Sequence, residues 1–139
     1  MDVVVKKSKI EGNGVFAARD FRKGDIVVRW GISHQLAPEE AASLPETEKR
    51  YAVFIGGKRI LMQPPARYIN HSCDANTAPE NFCDIATKDI MKGEEITANY
   101  SKIMAAADIT PVFSNYASMR CRCASKNCRG IIGTQTADK

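Results

Sequence analysis

Two stretches of the chain have residue types and spacing suited to chemistry. Arg67 to Asn76 reads Arg-Tyr-Ile-Asn-His-Ser-Cys-Asp-Ala-Asn, and it combines an aromatic, two carboxamides, a histidine and a thiol. Asn70 and Asn76 both donate and accept hydrogen bonds, as does neutral His71, so the stretch suits a polar ligand better than a core. A self-satisfied network, in which these side chains only cap backbone groups, is the alternative. The second stretch is Cys121-Arg-Cys-Ala-Ser-Lys-Asn-Cys128. Zinc takes four thiolate or imidazole ligands in a tetrahedron, and this spacing can wrap three corners of one. Arg120, Arg122, Lys126 and Arg129 would offset the charge of the thiolates. Cys73 is the first candidate for the fourth ligand and Cys83 the second, with His34 and His71 behind them. A metal shared by Cys73 and the C-terminal cysteines would pin the tail against Asn70 and His71. Tyr100 could then point its hydroxyl into the same pocket.

The elements that would position these groups are short. Pro64 and Pro65 fix the chain ahead of Arg67, and the Asn/Asp/Ser content marks 67–76 as a turn-rich loop rather than a helix or strand. Val3 to Val5 predicts a first strand, and Gly12-Asn13-Gly14 a hairpin turn that also lets a ligand approach the backbone. Arg19 to Ile26 and Lys88 to Glu95 repeat one pattern: a base, an acid, an apolar residue, then Lys-Gly and an acid. Each predicts a turn at its glycine, Gly24 or Gly93, leading into a strand, Ile26 to Trp30 or Ile96 to Tyr100. Pro38 to Leu44 predicts a short helix ended by Pro45. Tyr51 to Ile55 and Lys58 to Met62 predict a hairpin closed by Gly56-Gly57, and Phe82 to Thr87 another strand. Beyond Ser101 the pattern loosens, with a helical turn at Lys102 to Ala107, Pro111 as a breaker, and Phe113 and Tyr116 as a small packing face. Residues after Gly133 predict a frayed tail.

A chain of 139 residues has room for a single core. Its apolar runs fall far short of the roughly 18 residues of a membrane span, and the N-terminus lacks a signal pattern, so the reading is an intracellular protein with no membrane. Five cysteines, three of them clustered, favour a reducing compartment, cytoplasm or nucleus. A net charge of +4 permits weak association with nucleic acid or chromatin but is below that of a dedicated binder.

In order, Gly-x-Gly, Arg-Tyr-Ile-Asn-His-Ser-Cys, Gly-Glu-Glu-Ile-Thr-x-x-Tyr and Cys-x-Cys-x-x-x-x-Cys-Arg-Gly resemble the SET-domain protein lysine methyltransferases with a post-SET zinc tail. The resemblance covers Lys9 to Gly133. It implies a mostly β (α+β) fold of several short twisted sheets with knot-like C-terminal threading, residues 1–118 forming the SET domain and 119–139 the zinc-stapled tail. It implies S-adenosylmethionine as methyl donor and a protein or peptide with an exposed lysine as acceptor, such as a histone or other small basic chromatin protein. By carry-over, the backbone of Gly12, Asn13 and Gly14, with Tyr51, Arg67, Tyr68, Asn70 and His71, would hold the donor. Tyr100 would be the catalytic tyrosine, and Cys73, Cys121, Cys123 and Cys128 the ligands of one structural zinc. Ala75 stands where the family usually has proline and Asn99 where it has aspartate. Ala98 and Ile131 replace bulkier residues that wall the lysine channel in many members, so the channel should admit an already methylated lysine and give di- or trimethylation unless Phe82, Phe113 or Tyr116 refills it.

Such a reaction needs a neutral amine, and neutralising a lysine of pKa about 10.4 at pH 7 costs about 4.6 kcal/mol. A narrow apolar channel and a nearby positive charge both lower that pKa. Tyr100 would orient the amine. No general base is evident, which leaves a water path for the proton. Two rival readings are a catalytically silent SET-like module that docks basic peptides and a zinc-stapled nucleic-acid adaptor.

Overall fold

The computed structural model describes residues 2–113 together with the backbone of 118–120 and 131–133. Val3–Lys7 (β1) and Asn13–Ala17 (β2) form the first hairpin, Lys7 opposite Asn13, with Gly12 at φ 46° in the turn. Gly14 lies inside β2 for a steric reason: a Cβ there would sit 2.3 Å from Glu95 Oε2 and 2.9 Å from Ser8 Cβ. Ile26–Arg29 (β3) follows the first of the repeated turns. Pro38–Ala42 (α1) is shorter than predicted, and Pro45 does more than end it, because it caps a second helix, Glu46–Lys49 (α2). Ala52–Ile55 (β4) and Lys58–Leu61 (β5) form the expected hairpin, with Gly56 and Gly57 at φ 56° and 85°.

A 3-10 turn at Ala66–Tyr68 leads into Asn70–His71 (β6), which pairs in parallel with Glu95–Ala98, so the polar stretch is not wholly loop. Thr77–Glu80 (β7) and Cys83–Ala86 (β8) form a hairpin, and Glu95–Ala98 is β9. The predicted strand to Tyr100 stops at Ala98. Asn99 Oδ1 instead accepts from Ser101 N at 3.1 Å and Lys102 N at 3.4 Å, which caps Tyr100–Ala107 (α3) and makes Tyr100 its first residue. Ile109–Pro111 (β10) pairs with β4 as an edge strand, where proline costs no ladder bond. Ser118–Arg120 (β11) and Ile131–Gly133 (β12) pair with each other. The sheets run β1-β2-β9-β6, β10-β4-β5, β3-β8-β7 and β11-β12.

The sequence echo is a structural one. Phe21 and Ile90 exchange backbone hydrogen bonds at 2.7 and 2.9 Å, Asp20 Oδ1 accepts from Lys92 N at 2.8 Å, and Asp89 Oδ1 accepts from Lys23 N at 3.0 Å. Gly24 and Gly93 share φ 95°. The two turns therefore clasp each other and drive Phe21 and Ile90 into the core beside Val15 and Ile96, all four at most 1% exposed. Each such side chain stabilises the fold by about 1.5–3 kcal/mol. A second cluster of Leu36, Ala41, Ala52 and Leu61 seats α1 on the β4–β5 hairpin, and Phe113 packs against it as expected. No helix among the described residues is long and apolar enough to cross a membrane. The knot-like threading and Tyr116 lie outside the described residues.

Candidate active site

The sheets meet around a cleft of about 230 Å³. The β1–β2 turn contributes Glu11, Gly12 and Asn13; the end of α2 and start of β4 give Arg50 and Tyr51; the stretch after Pro65 gives Arg67, Tyr68 and Asn70; α3 gives Tyr100 and Ile103. Seven of the residues picked from sequence thus share one cavity. Gly14 and His71 do not line it. Gly14 makes room for Glu95, and His71, 5% exposed, packs behind Tyr100 with ring centroids 5.3 Å apart.

The self-satisfied alternative holds for Asn76 and in part for Asn70. Asn76 is spent on the backbone, donating to Glu95 O at 2.9 Å and accepting from Thr97 N at 2.9 Å. Asn70 Nδ2 is within 3.0 Å of Glu11 O, Asn13 O and Glu95 Oε2, so it ties the glycine turn to β6 and keeps that wall in place. Ser8 Oγ, 2.8 Å from both carboxylate oxygens of Glu95, anchors the same carboxylate from β1.

Arg67 is held by an element that the sequence did not reveal. Its Nη1 and Nη2 meet both oxygens of Glu48 in α2 at 3.0 and 2.9 Å, while its guanidinium lies 4.6 Å from the Tyr51 ring centre and 5.2 Å from that of Tyr68. This stack stands Tyr51 and Tyr68 edge to face, 5.8 Å apart, in the cleft wall. Arg67 Nε is buried with no partner among the described residues. Arg50 and Glu11 pair across the cleft at 3.6 Å, part-exposed and therefore weak.

Tyr100 donates its hydroxyl to the Ile69 carbonyl. Burial pushes its pKa well above the ordinary phenol value, and Arg50 only partly opposes this. The group is a neutral phenol at physiological pH, able to donate and accept but not to serve as a base. His71 Nδ1 accepts from Tyr100 N at 3.0 Å, so Nε2 carries the proton in the neutral ring and donates toward Cys73 Sγ at 3.3 Å. Cys83 is otherwise placed, 7% exposed in β8 with Arg29 Nη1 3.8 Å from its sulfur. His34 is exposed. Cys121, Cys123, Cys128 and the Ile131 side chain lie outside the described residues, and no group of three metal-ligating side chains forms among the described ones.

Sequence reasoning missed Trp30 and Asp84, which line the cleft together with Ala98. Trp30 Nε1 donates to Asp84 Oδ2 at 2.9 Å. Asp84 is 2% exposed, and burial lifts its pKa from 3.8 to about 6 against the lowering effect of that bond. Because the folded-state pKa is raised, the unfolded chain ionises first as pH rises. The fold therefore loses stability between pH about 3.8 and about 6, by roughly 3 kcal/mol in all. Asp84→Asn cannot titrate, so the stability of the wild type relative to this variant should fall by about 2–3 kcal/mol from pH 4 to pH 7. Urea unfolding at both pH values reads this; a constant difference would contradict it. Phe82 and Phe113 do not line the cleft; Phe82 is 45% exposed, its ring edge-on to Trp30.

The family model described as "SET domain" matches residues 12–101. Human histone-lysine N-methyltransferase 2D is 28% identical over 144 residues, which covers 92% of this chain and 2% of that protein. Histone-lysine N-methyltransferase SET9 of Gibberella zeae is 26% identical over 127 residues, 85% of this chain and 18% of that one. The chain therefore spans a small fraction of these curated relatives. Among solved structures, the Chaetomium thermophilum Polycomb Repressive Complex 2, autoinhibited and bound to S-adenosylmethionine, matches with a TM-score of 0.55 and 28% identity over 70% of this chain and 15% of that one.

Proposed function

The chain belongs to the SET-domain family, and from that premise we propose that it is an S-adenosylmethionine-dependent protein-lysine methyltransferase. The observation that carries this reading is one cleft in which Gly12, Asn13, Tyr51, Tyr68 and Tyr100 converge from separate parts of the chain. The cleft suits the donor: two tyrosine rings offer apolar faces for a purine, and the orphaned Arg67 Nε–H offers a hydrogen bond to a carboxylate. When bound, the donor supplies an electrophilic methyl group on a sulfonium. The protein's part is to hold a lysine amine in line, desolvate it between Ala98 and Ile103, and orient it through Tyr100, whose proton is engaged by Ile69 while its oxygen can still accept.

Histones and other small basic chromatin proteins are the proposed acceptors, in keeping with the names of the relatives, and the nucleus or chromatin is the proposed setting. Residues 119–139 form the proposed post-SET tail, in which Cys121, Cys123 and Cys128 share one zinc with Cys73. The small Ala98 wall supports di- or trimethylation, to be read by mass spectrometry of a long reaction; a product that stops at one methyl would contradict it. Calorimetric titration of the full chain with S-adenosylmethionine should give saturable binding near one per chain. Absence of binding would overturn the methyltransferase reading and leave a silent peptide-docking module.

A further inference from the structure

Tyr100 is held as a neutral phenol, so the proton leaving a lysine needs another acceptor in the cleft. Asp84 lies mid-strand in β8, opposite Val28 of β3 and Pro79 of β7, and those neighbours give it no reason to be acidic. Its Oδ2 is satisfied by Trp30 Nε1, yet Oδ1 is buried with no partner among the described residues, in a side chain that is 2% exposed and lines the cleft with Ala98 and Tyr100. An orphaned carboxylate oxygen costs stability, so its presence beside the cleft points to a cationic partner that arrives from outside. Resting on the methyltransferase reading, we propose that Asp84 Oδ1 receives the substrate's ammonium group and takes its proton.

In water the ammonium and carboxylate forms win. In a buried cleft desolvation raises the acid and lowers the amine, so the gap between them narrows: the bound pair rests as ammonium and carboxylate, and the neutral amine and acid become reachable from it. The lifted Asp84 pKa of about 6 agrees with such a site. One N–H bond of the ammonium breaks toward Asp84. The freed lone pair forms the N–C bond as the methyl–sulfur bond breaks, giving a methylated ammonium and a thioether, and Asp84 returns its proton to water as product leaves. Of the charged groups that share the cleft, Arg67 is committed to Glu48, and Arg50 pairs with Glu11. On the flanking strands, Arg29 and Glu80 both lie against Cys83.

Carbon NMR of the Asp84 carboxyl in the full chain, with no donor present, tests this with n-butylammonium as the probe and n-butanol as its neutral control. At ten times its dissociation constant the cation should lower the titration midpoint by about one pH unit, and the alcohol should leave it in place. Asp84→Asn should flatten the pH dependence of n-butylammonium affinity, keep S-adenosylmethionine affinity within about twofold, and lower turnover about 10²–10⁴-fold. A midpoint unmoved by molar n-butylammonium, or a variant with wild-type turnover, would overturn the role of Asp84. Failure of the wild type to bind S-adenosylmethionine would instead sink the methyltransferase reading, because the ammonium titration involves no donor.

Discussion

Tyr100→Phe should lower turnover about 10²–10³-fold, the scale seen when one hydrogen-bonding group aimed at the reacting atoms is removed. The expectation rests on placement. Asn99 caps α3 and delivers Tyr100 as its first residue, His71 receives the Tyr100 backbone N–H, and the hydroxyl reaches across to Ile69 at the cleft. Phenylalanine keeps the edge-to-face contact with His71, the cap and the backbone bond, and loses only the hydroxyl. Stability should drop by about 1 kcal/mol for the lost bond to Ile69, a few degrees in Tm. Donor affinity should stay within about twofold, because Tyr51, Tyr68 and the Gly12 turn are untouched. Stopped-time assays with labelled donor measure the first quantity and calorimetry the second. Wild-type turnover would refute the role, and loss of donor binding alongside turnover would recast Tyr100 as a binding residue.

Cys123→Ser should remove zinc and activity together. Metal-linked folding contributes on the order of 10 kcal/mol where a structural zinc closes a small module, far more than a point change in packing. The proposal rests on the Cys121, Cys123 and Cys128 spacing and on Cys73, whose sulfur lies 3.3 Å from His71 Nε2, directly behind Tyr100. Losing the zinc would free Cys73 and loosen His71, and with it the start of α3. Elemental analysis should find about one zinc per wild-type chain and close to none in the variant. Cys83→Ser is the control: its sulfur sits near Arg29 in β8, so zinc content should be unchanged. Full activity in a zinc-free preparation, or zinc lost from Cys83→Ser and kept in Cys123→Ser, would end this account of the tail.

What was legible in the sequence was what local chemistry controls. The Gly56-Gly57 hairpin needs positive φ twice and has it, and the paired Lys-Gly-acid turns carry their own caps, so both could be read from the residues alone. Elements whose reason lies elsewhere in the chain were not legible. Four-residue α2 follows a proline that reads as a stop, and it matters because Glu48 must reach Arg67. β6 is two residues of a polar stretch, and its strand character comes from β9. Tyr100 reads as a strand end when Asn99 is taken only as a departure from the family pattern, and its place in α3 follows from Asn99 acting as a helix cap. Asp84 left a signal that passed unused, an acid between Cys83 and Ile85 in an apolar strand of a chain with one tryptophan. Of the cleft residues, Arg67, Tyr68 and Asn70 fall in a stretch too polar to be core, whereas Gly12, Asn13, Tyr51 and Tyr100 take their roles only from the family resemblance, and sequence order alone does not separate cleft-lining Asn70 from His71 behind it.

The central claim is methyl transfer to lysine, and one measurement addresses it most directly. Incubated with S-adenosylmethionine labelled in its methyl group and a mixture of core histones, the purified full chain should place label on lysine Nζ, located by peptide mass spectrometry, and Tyr100→Phe should cut that label at least about a hundredfold. No label on lysine from a preparation that binds the donor and holds zinc, across histones and whole-cell protein alike, would contradict it.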